Sequence, residues 1–301
     1  MKILKHSAEV GQWCEAYRKA SLGLGFVPTL GGLHEGHLSL VRQARLECDR
    51  VLVSIYLNPS QFDSAADLEE YPADLEADLE ACRQAGVDIV FLGEQAEFLP
   101  EGFQSRVFVE KLTESLCGAG RPGHFRGVCT VVTQLLHVVR PLRAYFGLKD
   151  FQQAKIISRM VADLLFDVEL RLLPTVRSDD GLAISSRNRR LSTAERKEAV
   201  AIGEALQEAG ELLAGGETRV AALKEHMTGV LEKAAGCRVE YAEVLAASSL
   251  EEFPGGEVSV SAEGVLLAVA AWFGEVRLID NILFLPASEV DEVNLETQGG
   301  S

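Results

Sequence analysis

Basic residues are scarce in this sequence. Lysine and arginine together number 29 against 45 aspartates and glutamates in 301 residues, for a formal net charge of −16 and a pI near 4.9. Such a chain lacks the cationic surface that sequence-independent nucleic-acid binding requires, so no nucleic-acid partner is expected. An anionic ligand remains open, but its cations must then be concentrated in one place. No stretch approaches the roughly 18 continuous apolar residues of a membrane span, so no membrane partner is expected. The opening residues, MKILKHSAEV, hold no apolar core of the secretory-signal kind, and a cytoplasmic location follows as the expectation. Cysteine is sparse too: Cys14, Cys48, Cys82, Cys117, Cys129 and Cys237, none in a CxxC pair. This spacing speaks against a disulfide framework and a thiolate zinc site, and for buried free thiols in a reducing compartment. There is no internal repeat. A dinucleotide fingerprint is missing as well, because the Gly23-Leu24-Gly25 run precedes its strand instead of following it.

What is present is an ordinary globular composition, 47% hydrophobic and 25% charged. The length suits about two domains at roughly 150 residues each. Up to about residue 175, short apolar runs at 24–29, 51–57, 87–92, 144–147 and 168–174 alternate with helical patterns. In the helix expected over 37–48, Leu40, Val41 and Ala44 share one face and Arg42 and Arg45 another. Similar patterns cover 73–85, 127–139 and 150–165. Nearly all-apolar strands crossed over by helices predict a doubly wound α/β domain with a parallel sheet. Its ligand site belongs at the C-terminal ends of the strands. Near residue 176 the pattern changes. Ser192 and Glu195 form a capping-box signature, helices are expected over 193–214 and 217–235, and strands over 238–245, 264–271 and 276–284. The expected organisation is therefore a parallel-sheet domain at 1–175, a smaller α+β domain at 176–286 and a polar tail at 287–301.

Five segments carry chemistry. In 26–37 an apolar strand runs through Gly31 and Gly32 into His34, Gly36 and His37. Glycines there allow close backbone approach to a ligand, and the following helix N-terminus favours a phosphate. A surface turn is the alternative. A zincin site needs its histidines four apart, and these are three apart. After the next strand come Asn58, Ser60 and Gln61, neutral groups suited to hydroxyl and carboxylate recognition, or else a plain Asn-Pro turn. The run Gly147-Leu148-Lys149-Asp150 again ends a strand and opens a helix. Ser185, Ser186 and Arg187 lie among arginines, an anion-binding cluster or a solvated loop. Arg121 to Arg126 is a short basic loop. Together these supply phosphate and carboxylate ligands and no enzyme nucleophile, a set suited to phosphoryl or nucleotidyl transfer.

At this point a resemblance enters. The segments PTLGGLHEGHLSLV, VSIYLNPSQF, Tyr71-Pro72, GRPGHFRGV, AYFGLKDFQQ and PTVRSDDGLAISSRNRRLS stand in the order and near the spacings of the pantothenate synthetases, the ATP-dependent pantoate–β-alanine ligases. Val239-Glu240-Tyr241 and Leu278-Ile279-Asp280-Asn281 extend the likeness over about residues 1–286. The resemblance implies a Rossmann-like nucleotidyltransferase domain, and a reaction in which pantoate and Mg-ATP give pantoyl adenylate and pyrophosphate. β-Alanine then displaces AMP. It implies that His34 and His37 contact the ATP phosphates and that Lys149, Ser185, Ser186 and Arg187 hold them, these six forming the catalytic set. Pro28, Thr29, Leu30 and Val176 complete the ATP site, with Gly147 and Asp150 at the ribose. Gln61 and Gln153 match pantoate-binding residues, and Asn58, Tyr71, Arg121 and His124 line the pantoate and β-alanine cavity or its flap. Mg2+ is carried mainly by the ATP phosphates, with no protein metal site, and a homodimer through the N-terminal domain is expected. The sequence departs from the usual family pattern at Leu30 and Gly32, at Leu148 and Phe151, and at Ile184. Another HxGH nucleotidyltransferase is the rival enzyme, although a phosphate substrate would ask for cations where Asn58, Gln61 and Gln153 are neutral. A catalytically idle nucleotide-binding regulator is the rival from another class; the joint presence of His34, His37, Lys149 and Arg187 speaks against it.

Overall fold

The computed structural model of the protein describes residues 1–62 and 65–285. The expected tail at 287–301 lies outside the described residues. Two compact units emerge: Met1–Leu148 with Gln152–Leu173, and Lys149–Phe151 with the chain from Pro174 onward.

In chain order the first unit contains β1 (Lys2–Leu4), α1 (Ser7–Lys19), β2 (Leu24–Thr29), α2 (Glu35–Glu47) and β3 (Arg50–Ile55). A 3-10 turn at Pro59–Gln61 precedes α3 (Ala65–Glu69), α4 (Leu75–Gln84), β4 (Ile89–Leu92), α5 (Gln95–Phe98) and α6 (Leu116–Gly120). Then come α7 (His124–Val139), β5 (Arg143–Gly147), α8 (Phe151–Asp163) and β6 (Glu169–Leu173). The six strands form one parallel sheet in the order β1-β4-β3-β2-β5-β6. Phe26, Val27, Leu52, Val53, Val90 and Phe91 are all buried, which is why their strands read as unbroken apolar runs. Leu40, Val41 and Ala44 make the buried face of α2, as the periodicity predicts. From β2 the chain steps outward to β3 and β4, then returns to place β5 on the other side of β2. The C-terminal ends of β2 and β5 therefore flank the switch point where a doubly wound sheet opens its crevice. Sequence reading assigned neither β1 nor α1. β1 is three residues long and mostly exposed, and α1 buries only Val10 and Cys14.

One polar hub ties α2 to the far half of the sheet. The Glu47 carboxylate accepts from Gln43 Nε2 at 2.6 Å, Tyr145 Oη at 2.9 Å and Arg171 Nη2 at 2.9 Å. Burial pushes this carboxyl up, but those three hydrogen bonds outweigh it and hold it below the ordinary glutamate range. A depressed folded-state pKa contributes stability that is present above the unfolded value and lost as pH falls through the folded one. Glu47→Gln is expected to destabilise the protein by about 1–3 kcal/mol near neutral pH. In urea titrations the gap to wild type should begin to narrow below the ordinary glutamate pKa of about 4.3 and close as pH falls through the lower folded-state value, where Glu47 takes up its proton. A gap independent of pH would mean that Glu47 contributes through shape alone.

The second unit contains α9 (Thr193–Glu198), α10 (Ala201–Ala214), α11 (Val220–Leu231), β7 (Cys237–Ala246), α12 (Val260–Glu263), β8 (Val265–Phe273) and β9 (Val276–Phe284). β7, β8 and β9 form an antiparallel sheet in that order, with a bulge between Val239 and Tyr241. Leu206, Leu213, Leu223 and Met227 from α10 and α11 share a core with Val244, Leu267, Val269 and Phe273 from the strands. The capping box forms as read, Ser192 Oγ accepting from Glu195 N and Glu195 Oε2 from Ser192 N. The single helix expected over 193–214 is divided. The Ile202 N–H returns to the Ala199 carbonyl only three residues back, a 3-10 step that separates α9 from α10. The helix expected over 217–235 shortens to α11. Glu217 takes both the Arg219 N–H and its guanidinium, holding the entry extended.

None of the six cysteines is in a disulfide, and five of them are buried. No helix among the described residues is long and apolar enough to cross a membrane.

Candidate active site

The turn after β2 is organised from within the first unit. Thr29 Oγ1 donates to the Ser54 carbonyl at 2.8 Å and accepts from Gly31 N at 3.3 Å. Gly31 and Gly32 both have positive φ, +90° and +64°, a pair of left-handed steps that side chains resist. Sequence reading expected these glycines to bring backbone close to a ligand. Instead the N–H groups of Gly32 and Leu33 are held by the buried Asp78 carboxylate, because Asp78 on α4 reaches into the turn. Tyr71 Oη donates to the Gly31 carbonyl at 3.1 Å.

His34 is the N-cap of α2. Its Nδ1 accepts from Gly36 N at 3.1 Å. A ring nitrogen that accepts carries no proton, so His34 is a neutral imidazole with its proton on Nε2, a hydrogen-bond donor. The His37 ring lies 4.0 Å from that of His34, centroid to centroid. Pro28 stands within β2, and Leu30 is half-buried beside the turn.

A second cluster in the same unit seats Gln61. Asn58 is 1% exposed, and its side chain is fully engaged. Oδ1 accepts from Ser60 N and Ser60 Oγ; Nδ2 donates to Gln61 Oε1 at 2.9 Å and to the Gly127 carbonyl at 3.2 Å. The Gln61 carbonyl accepts from His124 Nδ1 at 2.6 Å and Arg121 Nη2 at 3.2 Å. Asn58, Arg121 and His124 thus converge on Gln61, fixing its backbone and side-chain oxygen and leaving the Nε2 hydrogens as its outward donors. Gly127 has a part that its residue type alone does not announce. A Cβ there would lie 2.4 Å from the Ser60 carbonyl oxygen, so only glycine lets the 59–61 turn rest on α7.

The two neighbouring glutamines of α8 differ. Gln152 is buried and donates to the Leu112 and Ser115 carbonyls at 2.9 and 2.8 Å. Gln153 is half-buried and makes no side-chain hydrogen bond among the described residues. Gly147 ends β5, and Leu148 is buried at 8% exposure. Its burial suits an apolar side chain.

The second unit carries Lys149, Asp150, Val176, Ser185, Ser186 and Arg187. The Lys149 carbonyl accepts from Asn281 Nδ2 at 2.9 Å, and its Nζ lies 3.8 Å from Asp150 Oδ1. Asn281 N bonds to Asp280, and Asp280 binds the Arg177 guanidinium through both oxygens. Arg177 in turn donates to the Gly181 carbonyl and pairs in a short bridge with Ala183. Val176 O accepts from Ile184 N. Ser185 caps the 3-10 turn Ser186–Arg190 by accepting from Arg187 N, and Ser186 is buried. Asp180, bridged by Arg196 and Ser178, is held far below the usual carboxylate range by those bonds and pins the preceding loop. Asp78, Gly127, Asp180 and Asp280 were not singled out for the site by sequence reading, since a lone aspartate or glycine shows nothing of its partners.

A doubly wound parallel sheet with a glycine–histidine turn at its switch point places the chain among the α/β enzymes built around an HxGH motif. The family model described as Pantoate-beta-alanine ligase matches residues 2–283, and the chain belongs to that family. The chain is similar to the pantothenate synthetase of Moorella thermoacetica, 46% identical over 94% of this chain and 98% of the relative. It is likewise similar to that of Thermotoga neapolitana, 46% identical over 94% and 99%. Among solved structures, the pantothenate synthetase of Thermus thermophilus superposes with a TM-score of 0.86 at 42% identity, over 95% of this chain and all of that one. The pantoate-beta-alanine ligase of Francisella tularensis, complexed with beta-gamma ATP and beta-alanine, superposes with a TM-score of 0.77 at 30% identity, over 94% and 97%. Among the described residues no group of three or more His, Cys, Asp and Glu side chains could hold a metal ion.

Proposed function

We propose that this chain joins pantoate to β-alanine with ATP through a pantoyl adenylate. One observation carries the reading: the first unit pairs a fixed Nε2–H donor at His34 with a seated, uncharged Gln61. The histidine suits a phosphoryl oxygen, and the amide suits the hydroxyl and carboxylate groups of pantoate. His34, His37, Lys149, Ser185, Ser186 and Arg187 serve the phosphates, and Pro28, Thr29, Leu30, Gly147, Asp150 and Val176 the rest of the nucleotide. Gln61 and Gln153 hold pantoate. Asn58, Tyr71, Arg121 and His124 shape that part of the site by holding Gln61 and the Gly31 turn. Magnesium arrives as part of the substrate Mg-ATP. The pantoate carboxylate attacks the α-phosphorus and pyrophosphate leaves. The β-alanine amine then attacks the acyl carbonyl, and AMP leaves with the original carboxylate oxygen. Family likeness also supports a cytoplasmic homodimer formed through the first unit, to be checked by light scattering in solution.

No protein nucleophile is called for. Burial pushes the Cys82 and Cys129 thiols up to about 12, so they stay protonated. The test follows the oxygen. Pantoate labelled with oxygen-18 in its carboxylate is expected to give one labelled oxygen in AMP per turnover. Label in inorganic phosphate, with ADP as co-product, would mean an acyl phosphate route instead.

A further inference from the structure

We propose that Asp78 is a positioning residue for the nucleotide turn, an internal carboxylate that sets where His34 stands before any phosphate arrives. The proposal rests on the reading of that turn as the ATP site.

Two successive left-handed residues, Gly31 and Gly32, turn neighbouring main-chain N–H groups into one concavity. Concavities of this kind attract anions. Here the anion is supplied by the protein. Asp78 Oδ2 accepts from Gly32 N at 2.8 Å, and Asp78 Oδ1 from Leu33 N at 2.7 Å. The residue is only 3% exposed. It lies in the first turn of α4, whose N-cap Asp74 accepts from Ala77 N, so the helix end that presents Asp78 is itself fixed. The fit is close: a Cβ on Gly31 would lie 3.1 Å from Asp78 Oδ2 and 3.3 Å from Ile55 Cγ2. Tyr71 Oη ties the Gly31 carbonyl from the same 71–78 segment.

Both amides of that concavity are therefore occupied. The first side chain beyond it is that of His34, the very next residue after Leu33. A turn preset by its own carboxylate presents that donor without rearranging on binding, and preorganisation of this kind supports both affinity and turnover.

The test uses Asp78→Asn in the full chain. The amide has the shape of the carboxylate but faces one of the two N–H donors with an NH2 group. We expect kcat/KM for ATP to fall about 10- to 100-fold, since bonds to a charged group are lost. The pantoate KM should change much less, within about twofold, because Asp78 bonds to the Gly32 and Leu33 amides and not to the groups that seat Gln61. Gly32→Ala strains the same turn through its positive φ while leaving the Asp78 carboxylate in the chain, and should reproduce the ATP-selective loss. Equilibrium titration with a non-hydrolysable ATP analogue reads the binding part without turnover, and circular dichroism confirms that each variant is folded. Equal losses for ATP and pantoate, or an Asp78→Asn enzyme that uses ATP like wild type, would overturn the proposal. If the unaltered protein forms no pantothenate, the reading of the site fails instead, and that outcome is separate.

Discussion

Replacing His34 with asparagine is expected to lower turnover about 10²–10³-fold, the scale of losing one preorganised donor to a developing phosphoryl charge. The melting temperature should barely move. The two expectations separate because His34 has two jobs on two different nitrogens. Nδ1 caps α2 by accepting from Gly36 N. Nε2–H is the donor assigned to the substrate. Asparagine is among the best N-cap residues, so it can keep the first job, but its side chain is too short to repeat the second. His34→Ala loses both and should add about 1 kcal/mol of destabilisation to the same kinetic loss. Lys149→Ala belongs beside it, with a similar fall in turnover. The Lys149 carbonyl is held by Asn281, so truncating the side chain leaves the local backbone in place. Single-turnover formation of pantoyl adenylate, together with thermal melts, checks all three. Near-wild-type adenylation by the His34→Asn enzyme would remove Nε2 from the mechanism.

Gly127→Ala is expected to damage pantoate use as much as removing a pantoate ligand, although Gly127 has a structural contact only. The new methyl would sit 2.4 Å from the Ser60 carbonyl oxygen and 2.6 Å from its carbon. Backbone against backbone cannot yield by a rotamer change. The 59–61 turn must move, and Gln61 moves with it. A displacement of about 1 Å at a positioning element can cost about 10² in rate, so kcat/KM for pantoate should fall by that order. Overpacking should also cost about 1–3 kcal/mol of stability. Gln61→Ala should lower pantoate affinity by a comparable factor, about 1–3 kcal/mol for buried partners left unsatisfied. The two substitutions act on one feature, so the double variant should lose far less than the sum. Steady-state kinetics with pantoate varied at saturating ATP, and the reverse, make the comparison. Additive losses, or an equal loss toward ATP, would show that the turn does not carry the pantoate contact.

The parts of the fold most legible in the sequence were those whose residues answer to their immediate neighbours. Strands buried on both faces have no polar position to interrupt them, so β2, β3 and β4 stood out as apolar runs. Ser192 and Glu195 bond to each other across three residues, and their capping box could be read directly. β1 escaped because an edge strand of three residues has neither length nor a fully buried face. The division between α9 and α10 escaped because residues 199 and 200 keep helical backbone angles and only the bonding step changes. In the site, the glycine–histidine run and the Asn58–Gln61 run announced themselves by residue type and by their position after a strand. Their controlling partners did not. Asp78 lies 46 residues beyond Gly32, and Gly127 lies 69 beyond Asn58.

By itself the sequence determined the doubly wound α/β class, the family through its ordered motifs, and which side chains are fit to meet a phosphate or a neutral hydroxyl. Those properties follow from local periodicity and from the chemistry of each side chain, which need no knowledge of what lies across the fold. Only the tertiary structure decided how each group is spent. It gave the Gly32 and Leu33 amides to Asp78, put the His34 proton on Nε2, filled Asn58 with protein partners, and separated Gln152 from Gln153. The physical reason is that a polar group withdrawn from water must find a partner. Which partner it finds depends on segments far away in the chain that folding brings within about 3 Å.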